Sequence, residues 1–269
     1  MSEVRLVHGR RERQDDEPLH RGVYLLPNLI TTCGLFSGFY SIIATIDGSY
    51  QVAAICILVA HVFDGLDGRI ARLTKSTSRF GIEYDSLSDL VAFGVAPGIL
   101  VYKWALEPWG NWGWLAASLY VACGALRLAR FNVQADLGNK NFTGLPIPAA
   151  ADTVASTVLL YYFFGGEGAT HKHIILLVVI YALAALMVSN VSYNSFKSLH
   201  LNPRQPLWIL VAVIVGLKFV IAEPQIFMFT AFMLYALSGP VTWVLGRPKA
   251  RRARAGAAEP PVAKVGNLR

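Results

Sequence analysis

Long apolar stretches separated by short polar segments make up most of the chain between residues 27 and 246. A helix needs about 20 predominantly apolar residues to cross the hydrocarbon core of a bilayer. Eight stretches approach that length, at 27–46, 52–71, 85–104, 112–131, 147–164, 173–191, 207–221 and 226–245. The seventh is the shortest. The pattern predicts an all-α integral membrane protein with about eight transmembrane helices.

Composition supports this interpretation and divides the chain into three parts. Of 269 residues, 54% are hydrophobic and 15% are charged, which is too apolar for an ordinary soluble domain. Residues 1–26 are polar and basic and lack the pattern of a cleavable signal peptide. Residues 247–269 are rich in Arg, Ala and Pro, which is typical of a disordered tail. We therefore expect an N-terminal segment at 1–26, one transmembrane domain at 27–246 and a basic tail at 247–269.

Lys and Arg residues are concentrated on one side of the predicted membrane domain. The opposite side carries Lys103, Lys172 and Lys218 alone. Because cytoplasmic loops retain basic residues and the predicted number of spans is even, both termini are expected in the cytoplasm. The net charge of +7 then favours attraction to anionic lipid headgroups. Nucleic-acid binding by the tail is the alternative, but juxtamembrane basic tails are common, so no nucleic acid is expected as a partner.

Four aspartates interrupt the apolar pattern within the stretch DGLDGRIARLTKSTSRFGIEYDSLSDL. A carboxylate at the bilayer centre costs about 2.5–3.5 kcal/mol on insertion scales, so four of them need compensating partners. At 3.6 residues per turn, Asp64 and Asp67 share one face of the second span. Asp85 and Asp89 are four residues apart on the third span and also share a face. Two antiparallel helices thus present two carboxylates each to a common space.

Small and basic residues accompany these carboxylates on the same helix faces. Gly68 and Ala71 leave open volume beside the aspartates of the second span, where a ligand has access to the backbone. Arg72 lies on that face too and offers a fork of donors for an anionic group such as a diphosphate. Gly81 precedes Asp85 by four residues on the third span. These positions predict the wall of a binding pocket.

Carboxylate oxygens are the ligands that hard cations such as Mg²⁺ or Mn²⁺ prefer, and four carboxylates are enough for two ions. An EF-hand reading of DGLDG fails, because Lys75 falls at the twelfth position, where a bidentate Glu is required. A buried ion-pair network that joins two helices is the structural alternative, but buried charge is a poor source of stability. His61, one turn before Asp64, is either a fifth ligand or a packed, hydrogen-bonded histidine.

The complete pattern D-x-x-D-G-x-x-A-R-x8-G-x3-D-x3-D resembles the signature of the CDP-alcohol phosphotransferases at every position. The resemblance implies a core of six membrane helices, two divalent cations, and displacement of CMP from a CDP-linked substrate by a hydroxyl group. It implies that Asp89 acts as the general base in addition to binding a metal ion. The implied metal ligands are Asp64, Asp67, Asp85 and Asp89. The implied contacts to the CDP group are Asp64, Gly68, Ala71, Arg72 and Gly81.

Outside the signature, the resemblance narrows to the bacterial and archaeal phosphatidylserine synthase branch of the family. The segments PNLITTCGLFSG, GALRLARFN, FTGLPIPAAA and SNVSYNSFKS are similar to that branch, and together they extend from about residue 27 to residue 197. Gly34 stands where the branch leads us to expect Asn, which affects a helix-packing contact. Eight spans rather than six also suit this branch.

L-Serine carries a carboxylate, an ammonium and a hydroxyl group, so its pocket needs a cationic fork and an acceptor near the metals. Arg127, Arg130 and Asn132 lie at the cytoplasmic end of the fourth span and are the first candidates. Membrane anchoring is the alternative role for the two arginines. Weaker candidates are Asn190, Ser192, Tyr193 and Lys197.

We therefore expect transfer of the phosphatidyl group from CDP-diacylglycerol to L-serine with release of CMP, at a site that faces the cytoplasm in a bacterial inner membrane. Glycerol 3-phosphate, inositol phosphate or an amino alcohol are alternative acceptors. A divalent-cation transporter is the alternative of another class, but transporters often show paired repeats and the carboxylates here occur once. A homodimer remains open.

Overall fold

The structure is a computed structural model that describes residues 25–74, 76, 78–136, 143–170, 172–191, 193, 218 and 222–257, with the backbone alone at 135–136 and 243–257. The regular structure of these residues is helical. The helices are α1 (Leu25–Ile46), α2 (Tyr50–Leu73), α3 (Arg79–Trp109), α4 (Asn111–Asp136), α5 (Ile147–Phe163), α6 (Ile174–Val188) and α7 (Pro224–Ala257).

Five of these helices are long and apolar enough to cross a membrane: α1, α2, α3, α4 and α7. They coincide with five of the predicted spans. The predicted fifth and sixth spans form the shorter apolar helices α5 and α6, which have 17 and 15 residues. The predicted seventh span, 207–221, lies outside the described residues except for Lys218. In the part of the chain that the structure describes, the protein is an all-helical membrane protein.

The last helix extends past residue 247, where the basic tail is predicted to begin. The backbone of α7 is helical to Ala257. Ala and Arg have high intrinsic helix propensity, and an existing helix needs no new nucleus in order to extend. Residues 258–269 and the N-terminal residues 1–24 lie outside the described part of the chain.

Helix α3 is irregular along its length. An α-helical part, Arg79–Asp89, is followed by a π-helical part at Leu90–Val95, and a second π-helical part lies at Tyr102–Leu106. π-Helical turns are rare in proteins, and those that occur often lie at functional sites. A Cβ atom at Gly38 of α1 would lie 2.6 Å from the Cα of Ala92, so this glycine allows α1 to approach the first π-helical part closely.

Small and hydroxyl-bearing residues join α1 to α2. The Ser37 hydroxyl donates to the Cys56 carbonyl over 2.8 Å, and the Ser41 hydroxyl donates to the Ala53 carbonyl over 2.9 Å. Helices in lipid associate through close packing and such hydrogen bonds, because lipid is as apolar as the helix surface. These bonds hold α1 at a fixed separation from α2, the helix that carries Asp64 and Asp67.

The core surrounds α3 and includes buried side chains of α2, α4 and α5. Trp104 and Phe93 of α3, Tyr120 of α4 and the alanines of α5 are buried there. Large apolar side chains such as Leu29, Phe36 and Val62 are exposed on the outer faces of α1 and α2. For a helix that crosses a membrane, this outer face is the surface that meets lipid.

Candidate functional site

Three predicted metal ligands meet at one point. The carboxylates of Asp64 and Asp67 on α2 and of Asp85 on α3 each offer an oxygen within 4.8 Å of the others. Asp89, one turn after Asp85, lines a small cavity of about 10 Å³ together with these three residues. The two helices therefore bring all four aspartates to a common space, as their spacing predicts.

The donor atoms of this cluster fit a divalent cation. The Oδ1 atom of Asp85 is buried and has no hydrogen-bond partner among the described residues, which is costly for a carboxylate oxygen. Asp67 is 5% exposed, and its Oδ2 atom accepts a hydrogen bond of 2.7 Å from the Thr31 hydroxyl. Converging carboxylates repel one another unless a cation lies between them. The cluster thus has the all-oxygen chemistry that Mg²⁺ and Mn²⁺ prefer.

A larger cavity, of about 150 Å³, adjoins the carboxylates between α1, α2 and α3. Asp67 and Asp85 form the wall that it shares with the cluster. The residues predicted to contact CDP lie in its lining, apart from Asp64, which lines the smaller cavity. The lining consists of Pro27, Asn28, Thr31, Asp67, Gly68, Ala71, Arg72, Ser76, Ser78, Gly81, Ile82 and Asp85.

The start of α3 shapes one side of this cavity. The Ser78 side chain caps the helix by accepting a hydrogen bond of 3.0 Å from the Gly81 amide. A Cβ atom at Gly81 would lie 3.2 Å from the Ser78 hydroxyl oxygen and 3.3 Å from Oδ1 of Asn28. Glycine therefore leaves room for both polar side chains at the cavity wall.

Gly68 and Arg72 form the opposite side. A Cβ atom at Gly68 would meet the Arg72 guanidinium at 3.7 Å, which is an ordinary contact distance. The arginine thus lies over the glycine on the same face of α2. A planar guanidinium beside bare backbone is suited to bind an anionic group such as a phosphate.

The predicted acceptor residues of α4 fall into two groups. Arg130 donates to Asn190 Oδ1 over 2.7 Å and to the Val188 carbonyl over 3.5 Å, and Asn132 exchanges hydrogen bonds with Ser86 of α3. Both side chains therefore join helices. The Nε atom of Arg127, by contrast, is buried without a hydrogen-bond partner among the described residues, and its guanidinium lies over the Phe131 ring, 5.9 Å from the ring centroid.

The weaker candidates have separate positions. Asn190 is the partner of Arg130, and the Tyr193 hydroxyl donates to the Ala236 carbonyl over 3.0 Å. Ser192 and Lys197 lie outside the described residues. His61 forms a hydrogen bond between its Nδ1 and Oδ2 of Asp152 on α5, which agrees with the hydrogen-bonded role predicted as one of its two alternatives.

Thr31, Asn28 and Asp152 have polar roles that the sequence did not assign. Asn28 and Thr31 are three residues apart in the first apolar stretch, and such helical spacing of polar groups within a span signals a shared polar face. Asp152 is the one acidic residue in the fifth apolar stretch. An isolated intramembrane carboxylate calls for a partner, but its partner His61 is 91 positions away, so spacing alone does not reveal the pair.

The sequence that builds this site is similar to the sequences of known proteins. The family model of the CDP-alcohol phosphatidyltransferases matches residues 24–191, which include the four aspartates and α1 to α6. A CDP-diacylglycerol–serine O-phosphatidyltransferase of Helicobacter pylori strain J99 is 42% identical over 226 residues, which cover 82% of this chain and 92% of the relative.

Two archaeal relatives are similar as well. An archaetidylserine synthase of Methanothermobacter thermautotrophicus is 42% identical over 170 residues, or 62% of this chain and 69% of the relative. A CDP-diacylglycerol–serine O-phosphatidyltransferase of Methanocaldococcus jannaschii is 30% identical over 227 residues, or 84% of this chain and 98% of the relative. With the carboxylate cluster and the cavity beside it, these matches establish that the chain belongs to the CDP-alcohol phosphatidyltransferase family.

Proposed function

We propose that the protein transfers the phosphatidyl group of CDP-diacylglycerol to L-serine and releases CMP. The observation that carries this proposal is the position of the four aspartates beside a cavity lined by the family signature. Relatives named for the same reaction share 42% of aligned residues with the chain and support serine as the acceptor.

The cluster of Asp64, Asp67, Asp85 and Asp89 is suited to hold two divalent cations, Mg²⁺ or Mn²⁺, since four carboxylates balance their four positive charges. When bound, such ions supply electrostatic stabilisation of the diphosphate and of the charge that develops during transfer. The Thr31 hydroxyl fixes the orientation of the Asp67 carboxylate for this role. The partnerless Oδ1 of Asp85 is the oxygen most in need of a cation.

The cavity between α1, α2 and α3 takes the CDP group. Arg72 lies where its guanidinium pairs with a phosphate, and Gly68, Ala71 and Gly81 keep the backbone accessible. Asn28 and Ser78 supply amide and hydroxyl groups for the polar edge of the nucleotide. The diacylglycerol chains lie in the surrounding lipid, where apolar surface has its lowest free energy.

Asp89 takes the proton from the serine hydroxyl. The serine oxygen forms a bond to the phosphorus that carries diacylglycerol, the bond from that phosphorus to the bridging oxygen breaks, and CMP leaves with the electron pair. General-base catalysis of this kind contributes about 10²- to 10⁴-fold. No covalent enzyme intermediate is part of this scheme.

Arg127 is the best candidate for the serine carboxylate. It lies on α4 between Tyr120 and Asn132, which bond to α3 on either side of Asp89, and its Nε atom is buried without a hydrogen-bond partner in the described part of the chain. A buried donor without a partner costs free energy that a bound carboxylate recovers. Arg130 and Asn132 instead keep α4 in register with α6 and α3.

The site faces the cytoplasm in this proposal, and the membrane is the inner membrane of a bacterium. The support is the excess of Lys and Arg at the end of the helices that carries the aspartates. A homodimer stays a prediction. Transport of divalent cations is the competing function for the same carboxylates, but the family match favours transfer.

Purified protein assayed with CDP-diacylglycerol and a panel of alcohols tests the proposal. We expect CMP release and lipid product with L-serine, and little of either with ethanolamine, glycerol 3-phosphate or inositol phosphate. A site that pairs a charged group discriminates by about 10⁴-fold against analogues that lack it. Efficient transfer to glycerol 3-phosphate instead of serine would contradict the proposed acceptor while the reaction type stood.

A further inference from the structure

The turn of α3 that follows Asp89 is π-helical. The α-helical part ends at Asp89, and in the first π-helical part, Leu90–Val95, the hydrogen bonds are longer: the amide of Ala96 donates to the carbonyl of Val91, five residues earlier. In an α-helix the corresponding separation is four residues. The residue proposed as the general base is therefore the last one before an irregular turn, and its direction depends on that turn.

This turn sets the rotation of Asp89 relative to the buried end of α3. An α-helix rotates by about 100° per residue, so conversion of the π-helical turn to an α-helical one would rotate the two ends of α3 against each other by about that angle. Leu100 and Trp104, beyond the turn, are at most 2% exposed and are fixed in the core. The rotation would therefore fall on Asp89 and would direct its carboxylate away from the small cavity that it shares with the other three aspartates.

The sequence removes one of the hydrogen bonds that would make this turn α-helical. In an α-helix the carbonyl of Phe93 would accept from the amide of residue 97, but Pro97 has no amide hydrogen. A buried carbonyl that lacks a donor costs free energy. Phe93 is buried, so a donor for its carbonyl has to come from within the protein.

Tyr120 of α4 supplies a donor for this carbonyl. Its hydroxyl donates to the Phe93 carbonyl over 3.2 Å, and its side chain is fully buried. Gly98 lets α4 approach α3 at this level, since a Cβ atom there would lie 2.8 Å from Cγ2 of Val121 and 3.8 Å from the Tyr120 ring. Phe93 lines the small cavity together with Asp89. The Tyr120 hydroxyl thus bonds to the backbone of the cavity wall.

We infer that Tyr120 is a positioning residue for the proposed general base. By its bond to the Phe93 carbonyl, it keeps the turn after Asp89 π-helical and so holds the Asp89 carboxylate towards the other aspartates. The inference rests on the proposed function. Tyr120 lines neither cavity of the site, so its hydroxyl should affect the chemical step and leave substrate binding unchanged.

Two tyrosine variants test this role. Tyr120→Phe removes the hydroxyl and keeps the ring. Tyr181→Phe is the matched control, because its hydroxyl donates over 3.0 Å to the carbonyl of Trp112, in the first turn of α4 and away from Asp89. Serine-dependent CMP release is measured in purified, detergent-solubilised enzyme. The kcat is expressed per molecule of bound CDP-diacylglycerol, so that loss of folded protein does not count as loss of turnover.

Tyr120→Phe should lower kcat about tenfold and leave the KM for both substrates unchanged, since groups that orient a metal ligand contribute about 10- to 100-fold. Both substitutions are repeated in Asp89→Asn, where single-turnover CMP release gives the rate. In that background Tyr120→Phe should have no further effect, because the carboxylate on which it acts is absent. Tyr181→Phe should match its parent in both backgrounds.

An equal loss of kcat in both backgrounds would show that Tyr120 does not act through Asp89 and would overturn the inference. Unchanged kcat, a rise in KM alone, or loss of CDP-diacylglycerol binding by Tyr120→Phe would overturn it as well. These outcomes leave the proposed function standing, provided that wild type releases CMP faster with serine than without it. If serine does not accelerate CMP release by the wild type, the proposed function itself fails.

Discussion

His61 on α2 and Asp152 on α5 form a hydrogen bond across the helix interface, from the imidazole Nδ1 to the carboxylate Oδ2. The Asp152 side chain is fully buried, and the His61 ring also meets the Phe93 ring edge-on at 5.9 Å. His61 lies one turn before Asp64 on the same helix. The pair therefore attaches α5 to the helix that carries two of the cluster aspartates.

Removal of His61 should destabilise the protein strongly. A buried charge that loses its partner costs about 3–5 kcal/mol, so His61→Ala, which leaves the buried Asp152 carboxylate without its partner, should lower the free energy of unfolding by that order. The measurement is equilibrium unfolding in detergent. Glu107→Gln is the control, because it disrupts the exposed Lys103–Glu107 pair and should cause no measurable change.

The His61→Gln and Asp152→Asn double variant distinguishes a charge effect from a hydrogen-bond effect. Its two amides can share a hydrogen bond without a buried charge, so we expect it to be more stable than His61→Ala. A double variant as unstable as His61→Ala would contradict the importance of the uncompensated charge.

The hydrogen bond from Thr31 to Asp67 should matter for metal binding. Groups that orient a metal ligand typically contribute about 10- to 100-fold to metal affinity or activity. Thr31→Val should therefore raise the Mn²⁺ concentration needed for half-maximal activity by at least about tenfold. Thr32→Val is the matched control, since its hydroxyl bonds to the Asn28 carbonyl and to Tyr84 rather than to a carboxylate. Equal Mn²⁺ dependence in the two variants would remove Thr31 from this role.

Alanine variants of two glycines of α2 distinguish an effect on the cavity from an effect on the stability of the helix. A methyl group at Gly68 meets no atom closer than 3.7 Å, and one at Gly65 meets nothing within 4 Å, but only Gly68 lines the larger cavity. Both alanine variants should stabilise the helix slightly, since alanine is favoured over glycine by up to about 1 kcal/mol. Gly68→Ala should raise the KM for CDP-diacylglycerol several-fold, and Gly65→Ala should leave it unchanged.

Asp89→Asn should lower kcat by about 10²- to 10⁴-fold while CDP-diacylglycerol binding persists, because the amide cannot accept the serine proton. Single-turnover CMP release together with equilibrium binding of CDP-diacylglycerol measures both properties. Retention of more than a tenth of wild-type activity would exclude Asp89 as the general base.

The periodicity of the sequence was sufficient to predict the helices and the convergence of the aspartates. Asp64 and Asp67 on one helix and Asp85 on the next had to face each other once two antiparallel helices formed. Contacts between distant segments could not be predicted from periodicity. The Asp152 partner of His61 depends on how α5 packs, and the engagement of Arg130 by Asn190 depends on where α6 ends. Local spacing carries no information about either.

The irregular turns of α3 could not be predicted from the apolar pattern either. The apolar stretch predicts a span at 85–104, but the helix begins at Arg79 and contains two π-helical parts. The first of them lies where Gly38 of α1 approaches Ala92 closely, and a contact between two helices cannot be predicted from the apolar pattern of one.

In the proposed function, the aspartate cluster holds the divalent cations on which transfer to serine depends. Electron paramagnetic resonance of Mn²⁺ counts the ions bound by metal-free purified protein while serine-dependent CMP release is followed in the same samples. We expect two bound ions per chain, activity that rises with their occupancy, and loss of both ions and activity in Asp64→Ala and Asp67→Ala. Full serine-dependent CMP release in excess EDTA, with no bound ion, would contradict the claim.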